Sequence, residues 1–225
     1  MIKICVSGSS GKMGSRIVEL AKEDPDLRTC GAFDVVEENP EQFVEQAECL
    51  IEFTTPQATI EHLALCEKHK KAMVIGTTGL SGADREKIRT VSAEIPIVFS
   101  PNMSIGVNLL FKIAADAAKI LGPDYNVEIV EAHHVHKKDA PSGTAKEIAR
   151  IIKDVKGDME IPIESVREGE TVGEHTVKFE SNVDLIEITH SAKTRDIFVK
   201  GALAAAKFVA SQKPGLYTMK DVLGL

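Results

Sequence analysis

Residues 2–14 read IKICVSGSSGKMG, and this stretch decides the fold class because an apolar run leads directly into a glycine-rich turn. Met13, Ile17 and Leu20 then follow the turn at helical spacing. A strand, a glycine turn and a helix in this order form the context of a dinucleotide-binding loop. The spacing is G-x-x-G-x-x-G rather than the commoner G-x-G-x-x-G, so a glycine-rich turn without a ligand stays an alternative.

Each glycine of the loop has its own expected role. Gly8 permits the tight turn, Gly11 lets the backbone approach a pyrophosphate, and Gly14 permits close contact between helix and strand. The cofactor contacts predicted in this loop are Gly8, Ser9, Ser10, Gly11, Lys12 and Met13.

A carboxylate follows the next predicted strand. That strand covers residues 27–33 and ends at Asp34, where a carboxylate can accept hydrogen bonds from the adenosine ribose hydroxyls. Val35 supplies no cation for a 2′-phosphate, so we expect NADH to bind better than NADPH, although Lys12 can compensate in part. An ordinary turn role for Asp34 is the alternative.

Strands and helices continue to alternate as far as residue 99. Strands are predicted over 49–54, 72–75 and 95–99, and Thr55-Pro56 and Ser81 with Asp84 mark the helix starts. This alternation predicts a Rossmann-like α/β domain, a parallel sheet with helices on both faces. Ligands of such sheets bind at the carboxyl ends of the strands. The predicted contacts of the nicotinamide half are therefore Phe53, Thr54, Gly76, Thr77, Thr78, Ser100, Pro101, Asn102 and Met103, with ordinary turn roles as the alternative.

The middle of the chain has a different character. Helices are predicted after Ser104 and Ser142, a strand over 126–132, and three segments between 163 and 190 alternate like antiparallel strands. We predict an α+β domain of residues 105–195 inserted into a dinucleotide-binding domain of residues 1–104 and 196–225. Hinges near Ser104 and Arg195 would allow the two to close.

Residues 131–145, EAHHVHKKDAPSGTA, concentrate the polar chemistry of this middle part. Three imidazoles and two ammonium groups lie between His133 and Lys138, and Ser142 can cap the next helix. Backbone N–H groups of Ser142, Gly143 and Thr144 would then point outward and suit an anion. We expect Glu131 to orient a neighbouring imidazole, and a solvated charged turn is the alternative.

Other histidines carry less information. The spacing His134-x-His136 lacks a cysteine or carboxylate partner in zinc-like register, so we predict no metal site. His175 and His190 lie on predicted strands, where hydrogen-bonded structural imidazoles are expected. Arg195 is equally consistent with a salt bridge and with a substrate contact.

Composition limits the class of protein. The net charge of −7 argues against nucleic acid as a partner, and 43% hydrophobic with 27% charged residues is ordinary for a globular protein. Cys5, Cys30, Cys49 and Cys66 have no paired spacing, so we expect reduced thiols. With neither a signal peptide nor a membrane span recognised, a cytoplasmic location is expected.

The stretch from Glu131 to Ala145 resembles the signature of the 4-hydroxy-tetrahydrodipicolinate reductase family, formerly called dihydrodipicolinate reductases. The likeness extends to the glycine loop, to residues 74–79, to residues 173–176 and to the Asp221-Val222-Leu223 ending. Two departures stand out. Val35 replaces the arginine of many members, and the segment between Val155 and Ile163 is short.

This resemblance implies the reduction of a cyclic imine dicarboxylate by NADH, or also NADPH, with loss of water, in the diaminopimelate pathway to lysine. It also implies proton transfer by His133 and Lys137, and substrate binding by His134, Ser142, Gly143 and Thr144. Family members are homotetramers joined through the sheets of their substrate domains. The rival interpretations are an NADH-binding regulatory module without turnover, a metal enzyme using the three histidines, and a reductase of another acidic cyclic imine.

Overall fold

The computed structural model describes residues 1–34 and 39–225, and these divide into two compact units. The first unit comprises Met1–Ile105 and Asp196–Leu225, and the second comprises Gly106–Arg195. The domains predicted from the sequence have nearly the same limits, and the functions assigned to them stay predictions. Val35, which entered the cofactor prediction, lies outside the described residues.

The strands of the first unit are β1 (Ile2–Ser7), β2 (Leu27–Phe33), β3 (Cys49–Glu52), β4 (Ala72–Ile75), β5 (Pro96–Phe99) and β10 (Gly215–Tyr217). They form a six-stranded sheet in the order β10-β5-β4-β3-β1-β2, and every neighbouring pair is parallel. Its helices are α1 (Lys12–Ala21), α2 (Glu41–Gln46), α3 (Pro56–His69), α4 (Gly82–Val91), α7 (Asp196–Val209) and α8 (Met219–Leu223). The Rossmann-like prediction is confirmed, and the short helices α2 and α8 were not predicted.

Both faces of this sheet are covered by helices. Alternate strand residues point to opposite faces, and along β3 Ile51 belongs to the core cluster of α1 and α7 while Leu50 belongs to that of α3 and α4. Because β3 and β4 are buried on both faces, their sequences are almost continuously apolar. The predicted capping box of Ser81 and Asp84 is confirmed at the start of α4.

The elements of the second unit are α5 (Ile105–Leu121, whose first residue falls in the first unit), β6 (Asn126–His133), α6 (Gly143–Lys156), β7 (Ile163–Arg167), β8 (Gly173–Glu180) and β9 (Leu185–Ala192). The two helices pack against a four-stranded sheet in the order β7-β6-β8-β9. The prediction that residues 163–167 form an antiparallel strand is wrong, because β7 pairs in parallel with β6. The crossover helix α6 between them returns the chain to the starting end of β6, and this forces parallel pairing.

Strand order locates the place where ligands of the first sheet are expected. β1 lies between β2 and β3, so the chain leaves β1 in one direction and later returns on its other side. Such a switch point opens a crevice at the carboxyl ends of the two central strands.

Among the described residues, no helix is both long and apolar enough to cross a lipid bilayer.

Candidate active site

The glycine loop after β1 passes very close to the end of β3. Gly8 has a φ of +79°, and a Cβ on it would lie 2.6 Å from the carbonyl oxygen of Phe53. A Cβ on Gly14 would lie 2.0 Å from the carbonyl oxygen of Gly8. Only glycine fits these two positions, so the backbone of the loop can closely approach both the end of β3 and the start of α1. This backbone cradle fits the pyrophosphate of a dinucleotide.

Asp34 lies beside this loop at the end of β2. Its carboxylate accepts hydrogen bonds from the backbone N–H of Ser10 at 3.0 Å and from the hydroxyl of Ser9 at 3.2 Å. Lys12 is exposed at the first position of α1, whereas Met13 packs partly against the core. A carboxylate held at the rim of the loop is suited to ribose hydroxyls.

The turns after β3 and β4 join the same crevice. The backbone N–H of Thr54 donates to Oγ1 of Thr77 at 3.1 Å. A Cβ on Gly76 would lie 2.2 Å from the ring of Phe53, so the aromatic ring occupies the space that a side chain would need. The structure therefore brings together Gly8, Phe53, Thr54, Gly76 and Thr77, and Thr78 follows as an exposed residue.

The turn after β5 is held by its own hydrogen bonds. The hydroxyl of Ser100 donates to the carbonyl oxygen of Asn102 at 2.8 Å, and Oδ1 of Asn102 accepts the backbone N–H of Ser104 at 2.9 Å. Pro101 is exposed, whereas Met103 is buried in the core of the unit.

A buried polar pair beneath this crevice was missed from the sequence. Glu52 is fully buried, and its Oε2 lies 2.7 Å from Nδ1 of His62. Its other oxygen accepts the hydroxyl of Thr54, so the pair braces the turn after β3. A glutamate within the apolar run Leu50-Ile51-Glu52-Phe53 was the available signal, because a buried carboxylate requires a partner.

In the second unit, Glu131 is the centre of the polar cluster. It is fully buried, and its oxygens accept hydrogen bonds from Nδ1 of His133 and from the backbone N–H of Ser142 at 3.2 Å. The guanidinium of Arg167 binds the same carboxylate through two nitrogens, at 2.7 and 3.0 Å. The expected role of Glu131 in orienting an imidazole is confirmed.

Arg167 was not singled out from the sequence. It ends β7, which lies beside β6, and it stands opposite His133 in the strand register.

Burial by itself would raise the pKa of Glu131, but hydrogen bonds from Arg167 and His133 outweigh this effect and lower the pKa to about 2. The carboxylate is therefore ionised at neutral pH and can only accept hydrogen bonds.

The ionised state of Glu131 fixes the hydrogen positions on His133. Nδ1 must donate to the carboxylate, and this leaves Nε2 as the nitrogen that can exchange a proton with a ligand. Burial lowers the pKa of His133 below its usual 6.5, although Glu131 opposes this shift. An imidazole held in this way can take up or release a proton at Nε2.

His175 lies on the neighbouring strand, and its ring centroid is 5.1 Å from that of His133. Its Nε2 is 3.1 Å from Oγ of Ser142, which confirms the predicted structural hydrogen bond. Burial, reinforced by the nearby His133, lowers the pKa of His175 to about 4. His175 is therefore neutral at neutral pH.

The loop after β6 carries Lys137 close to His133. Nζ of Lys137 lies 2.7 and 2.9 Å from the two carboxylate oxygens of Asp139, and this ion pair lowers the pKa of Asp139.

The rings of His134 and His136 are 6.2 Å apart. No group of three or more metal-ligating side chains occurs among residues 1–34 and 39–225.

Ser142 caps α6 as expected, because its Oγ accepts the backbone N–H of Ala145 at 3.2 Å. One part of the anion prediction is wrong. The backbone N–H of Ser142 donates to the carboxylate of Glu131 instead of pointing outward, because a buried carboxylate requires hydrogen-bond donors from the protein. Gly143, which is exposed, and Thr144 form the first turn, where the helix dipole favours a negative charge.

Comparison with known proteins extends over the whole chain. The family model described as "Dihydrodipicolinate reductase, N-terminus" matches residues 2–103, and its counterpart for the C-terminus of the same family matches residues 106–223. A 4-hydroxy-tetrahydrodipicolinate reductase of Geotalea uraniireducens (strain Rf4) is 40% identical over 266 aligned positions, which cover all of both chains. One of Geobacter metallireducens is 41% identical over 265 positions, again with complete coverage.

Solved structures resemble the fold. A dipicolinate-bound dihydrodipicolinate reductase from Paenisporosarcina sp. TG-14 has a TM-score of 0.82 at 23% identity, and the match covers 97% of each chain. A probable dehydrogenase from Thermotoga maritima has a TM-score of 0.70 at 14% identity, over 98% of this chain and 92% of the other. At these identities the likeness concerns the fold alone.

Proposed function

This chain belongs to the dihydrodipicolinate reductase family, and from that premise we propose how its residues work. It is a pyridine-nucleotide-dependent 4-hydroxy-tetrahydrodipicolinate reductase of the diaminopimelate pathway to lysine. The reaction consumes the reduced nucleotide and one proton, and it yields tetrahydrodipicolinate, the oxidised nucleotide and water. The observation that carries the assignment of roles is the hydrogen bond between Glu131 and His133 at the end of β6.

We propose His133 as the proton donor. A reduced nucleotide, when bound, would supply a hydride to the conjugated imine of the substrate, and an acid would then have to deliver a proton there. Protonated His133 can donate from Nε2, because Glu131 holds its Nδ1. A substrate with two carboxylates favours this charged form of the imidazole, and it thereby opposes the effect of burial.

We propose that Lys137 and the start of α6 hold the negative charge of the substrate. The ammonium group of Lys137 stabilises the charge that develops during reduction, and it exchanges Asp139 for a substrate carboxylate. Gly143 and Thr144 lie at the start of α6, where the helix dipole favours a negative charge by about 0.3–2 kcal/mol. His134 and the Ser142 hydroxyl complete the proposed substrate contacts.

For the cofactor we propose NADH ahead of NADPH. The carboxylate of Asp34 lies beside the glycine loop, where it would accept hydrogen bonds from two ribose hydroxyls and repel a 2′-phosphate. The proposed adenosine and pyrophosphate contacts lie between Gly8 and Met13. The turns that follow β3, β4 and β5 would hold the nicotinamide half.

We also propose a homotetramer assembled through the second sheet. One face of that sheet packs on α5 and α6, whereas side chains of the other face, such as Val130, Lys178 and Thr189, remain at least partly exposed. A face that combines apolar and polar side chains supports assembly of this kind. Sedimentation velocity on the purified protein tests it, and a monomer at micromolar concentration would contradict it.

The test of the proposed function is NADH oxidation in the presence of the product of the preceding synthase. We expect turnover with both nucleotides and a lower KM for NADH. Binding of NADH without turnover would instead favour the regulatory module, and loss of activity on treatment with a chelator would favour the metal enzyme. Other cyclic imines with a single carboxylate serve as control substrates and should react poorly.

A further inference from the structure

The side chain of Arg167 joins three parts of the second unit. Its Nη1 and Nη2 bind the two oxygens of Glu131 at 3.0 and 2.7 Å, in the parallel geometry that a guanidinium and a carboxylate favour. Nη2 also donates to the carbonyl oxygen of Asp139 at 2.7 Å, in the loop that carries Lys137. Only 19% of the Arg167 side chain is exposed, and the Glu131 side chain is fully buried.

Glu131, held by Arg167, in turn contacts two groups for which a function is proposed. One oxygen faces Nδ1 of His133, and the other accepts the backbone N–H of Ser142 at the start of α6. Without Arg167 this buried carboxylate would keep its charge and its hydrogen bonds with His133 and Ser142, but it would lose its two-point partner. Both the imidazole and the helix start would then be affected.

We propose that Arg167 is a positioning residue for this reductase, acting through Glu131 on the proton held by His133 and through Asp139 on the loop of Lys137. The inference rests on the proposed function, in which His133 donates the proton. Nothing in it requires Arg167 to touch the substrate. A lysine at this position would keep the charge but lose the two-point geometry.

Charged and titratable groups reach His133 from several elements. Glu131 faces it from β6, Arg167 from β7 and His175 from β8, and Lys137 lies in the following loop. Glu131 raises the pKa of His133, whereas burial, Lys137 and Arg167 lower it. Removing Arg167 should therefore raise this pKa, and removing the charge of Glu131 should lower it.

The experiment compares Arg167→Met and Glu131→Gln in the intact protein. The pKa of His133 is measured by NMR of the labelled imidazoles without substrate, and the pH dependence of kcat/KM is measured with substrate. We expect shifts of about one pH unit in opposite directions, upward for Arg167→Met and downward for Glu131→Gln. Because a general acid must be protonated, the alkaline limb of kcat/KM should move in the same directions.

Two further variants keep the test decisive. Arg167→Lys should give a smaller upward shift, and it replaces Arg167→Met if that variant does not fold. Arg150→Met is the matched control, because the guanidinium of Arg150 also binds carboxylate groups, those of Glu147 and Asp154, but on the exposed side of α6. It should leave the pKa of His133 unchanged.

The outcomes separate this inference from the proposed function. If the NMR shifts are opposite but the kcat/KM profile does not follow them, the positioning role stands and the proton-donor role of His133 fails. If activity falls in both variants while the pKa of His133 stays constant, Arg167 is merely structural and the inference is overturned. Shifts in the same direction for both variants would overturn it as well.

Discussion

The carboxylate of Asp34 accepts a hydrogen bond from the backbone N–H of Ser10, with 3.0 Å between Oδ2 and the nitrogen. The residue at the end of β2 is thereby tied to the glycine loop after β1, although 24 positions separate them in the chain. In a parallel sheet these two turns lie at the same edge. The contact places a negative charge where we propose that the adenosine ribose of a dinucleotide binds.

We expect Asp34→Ala to raise the KM for NADH about tenfold or more while kcat is spared. This magnitude follows from about 1.5–3 kcal/mol for hydrogen bonds to a charged group. Steady-state kinetics with both nucleotides measure the effect, and preference for NADH over NADPH should also weaken. Glu23→Ala, at an exposed position after α1, makes the same change in net charge and should alter neither value.

We expect His133→Ala to lower turnover by about 10²–10⁴-fold, the usual contribution of a positioned acid or base. NADH affinity should stay nearly unchanged, because the nucleotide-binding residues are proposed in the first unit. Stopped-flow measurement of the chemical step and fluorescence titration of NADH separate the two effects. Equal losses in turnover and in cofactor binding would refute the assigned role.

Ser142 is expected to combine a structural and a functional role. Ser142→Ala removes the cap of α6 and should reduce the free energy of unfolding by about 1 kcal/mol, and it should also raise the KM for the substrate. Ser81→Ala removes the equivalent cap of α4 and should cost about the same stability without a change in KM. A parallel increase in KM in both variants would mean that the effect arises from loss of stability alone.

Substitution of Gly14 tests the close approach of loop and helix. A Cβ there would meet the carbonyl group of Gly8, so we expect Gly14→Ala to cost about 1–3 kcal/mol and to weaken NADH binding. Gly82→Ala, at the start of α4, meets nothing within 4 Å and should be neutral or stabilising by up to about 1 kcal/mol. Urea unfolding and NADH titration of both variants check the contrast.

Local signals in the sequence were sufficient for much of the fold. The glycine spacing, the capping box of Ser81 and the alternation of apolar runs with helix starts predicted the parallel sheet, because each depends on neighbouring residues. The parallel pairing of β7 was missed, since its alternating pattern is the same for either strand direction.

The candidate site was predicted less completely, because its partners come from different elements. Arg167 reaches Glu131 from 36 positions away, and only the register of β7 beside β6 brings them together. The inward turn of the Ser142 N–H likewise depends on where α6 starts relative to the sheet. Residue types and spacing predicted His133 and Ser142 as candidate site residues. They do not specify which hydrogen-bond donors a buried carboxylate such as Glu131 will bind.

The buried His175 gives the last prediction, a loss of stability at mildly acidic pH. Its pKa is about 4 in the folded chain, against the usual 6.5 of a solvated histidine in the unfolded chain, so the folded protein binds fewer protons between these values. The contribution of His175 is therefore complete above about pH 6.5 and is lost as the pH falls toward 4. Between pH 7 and pH 5 we expect the contribution of His175 to the free energy of unfolding to decrease by about 2 kcal/mol.

His175→Gln should make this pH dependence smaller, because an amide does not titrate and its NH₂ group can still reach Oγ of Ser142. Urea unfolding at pH 7 and pH 5 measures the difference. His133 and His190, whose pKa values are also lowered by burial, contribute in the same direction and should account for part of what remains in the variant. His136→Gln, in the exposed loop, should retain the full dependence, and an equal dependence in His175→Gln would show that His175 is not its source.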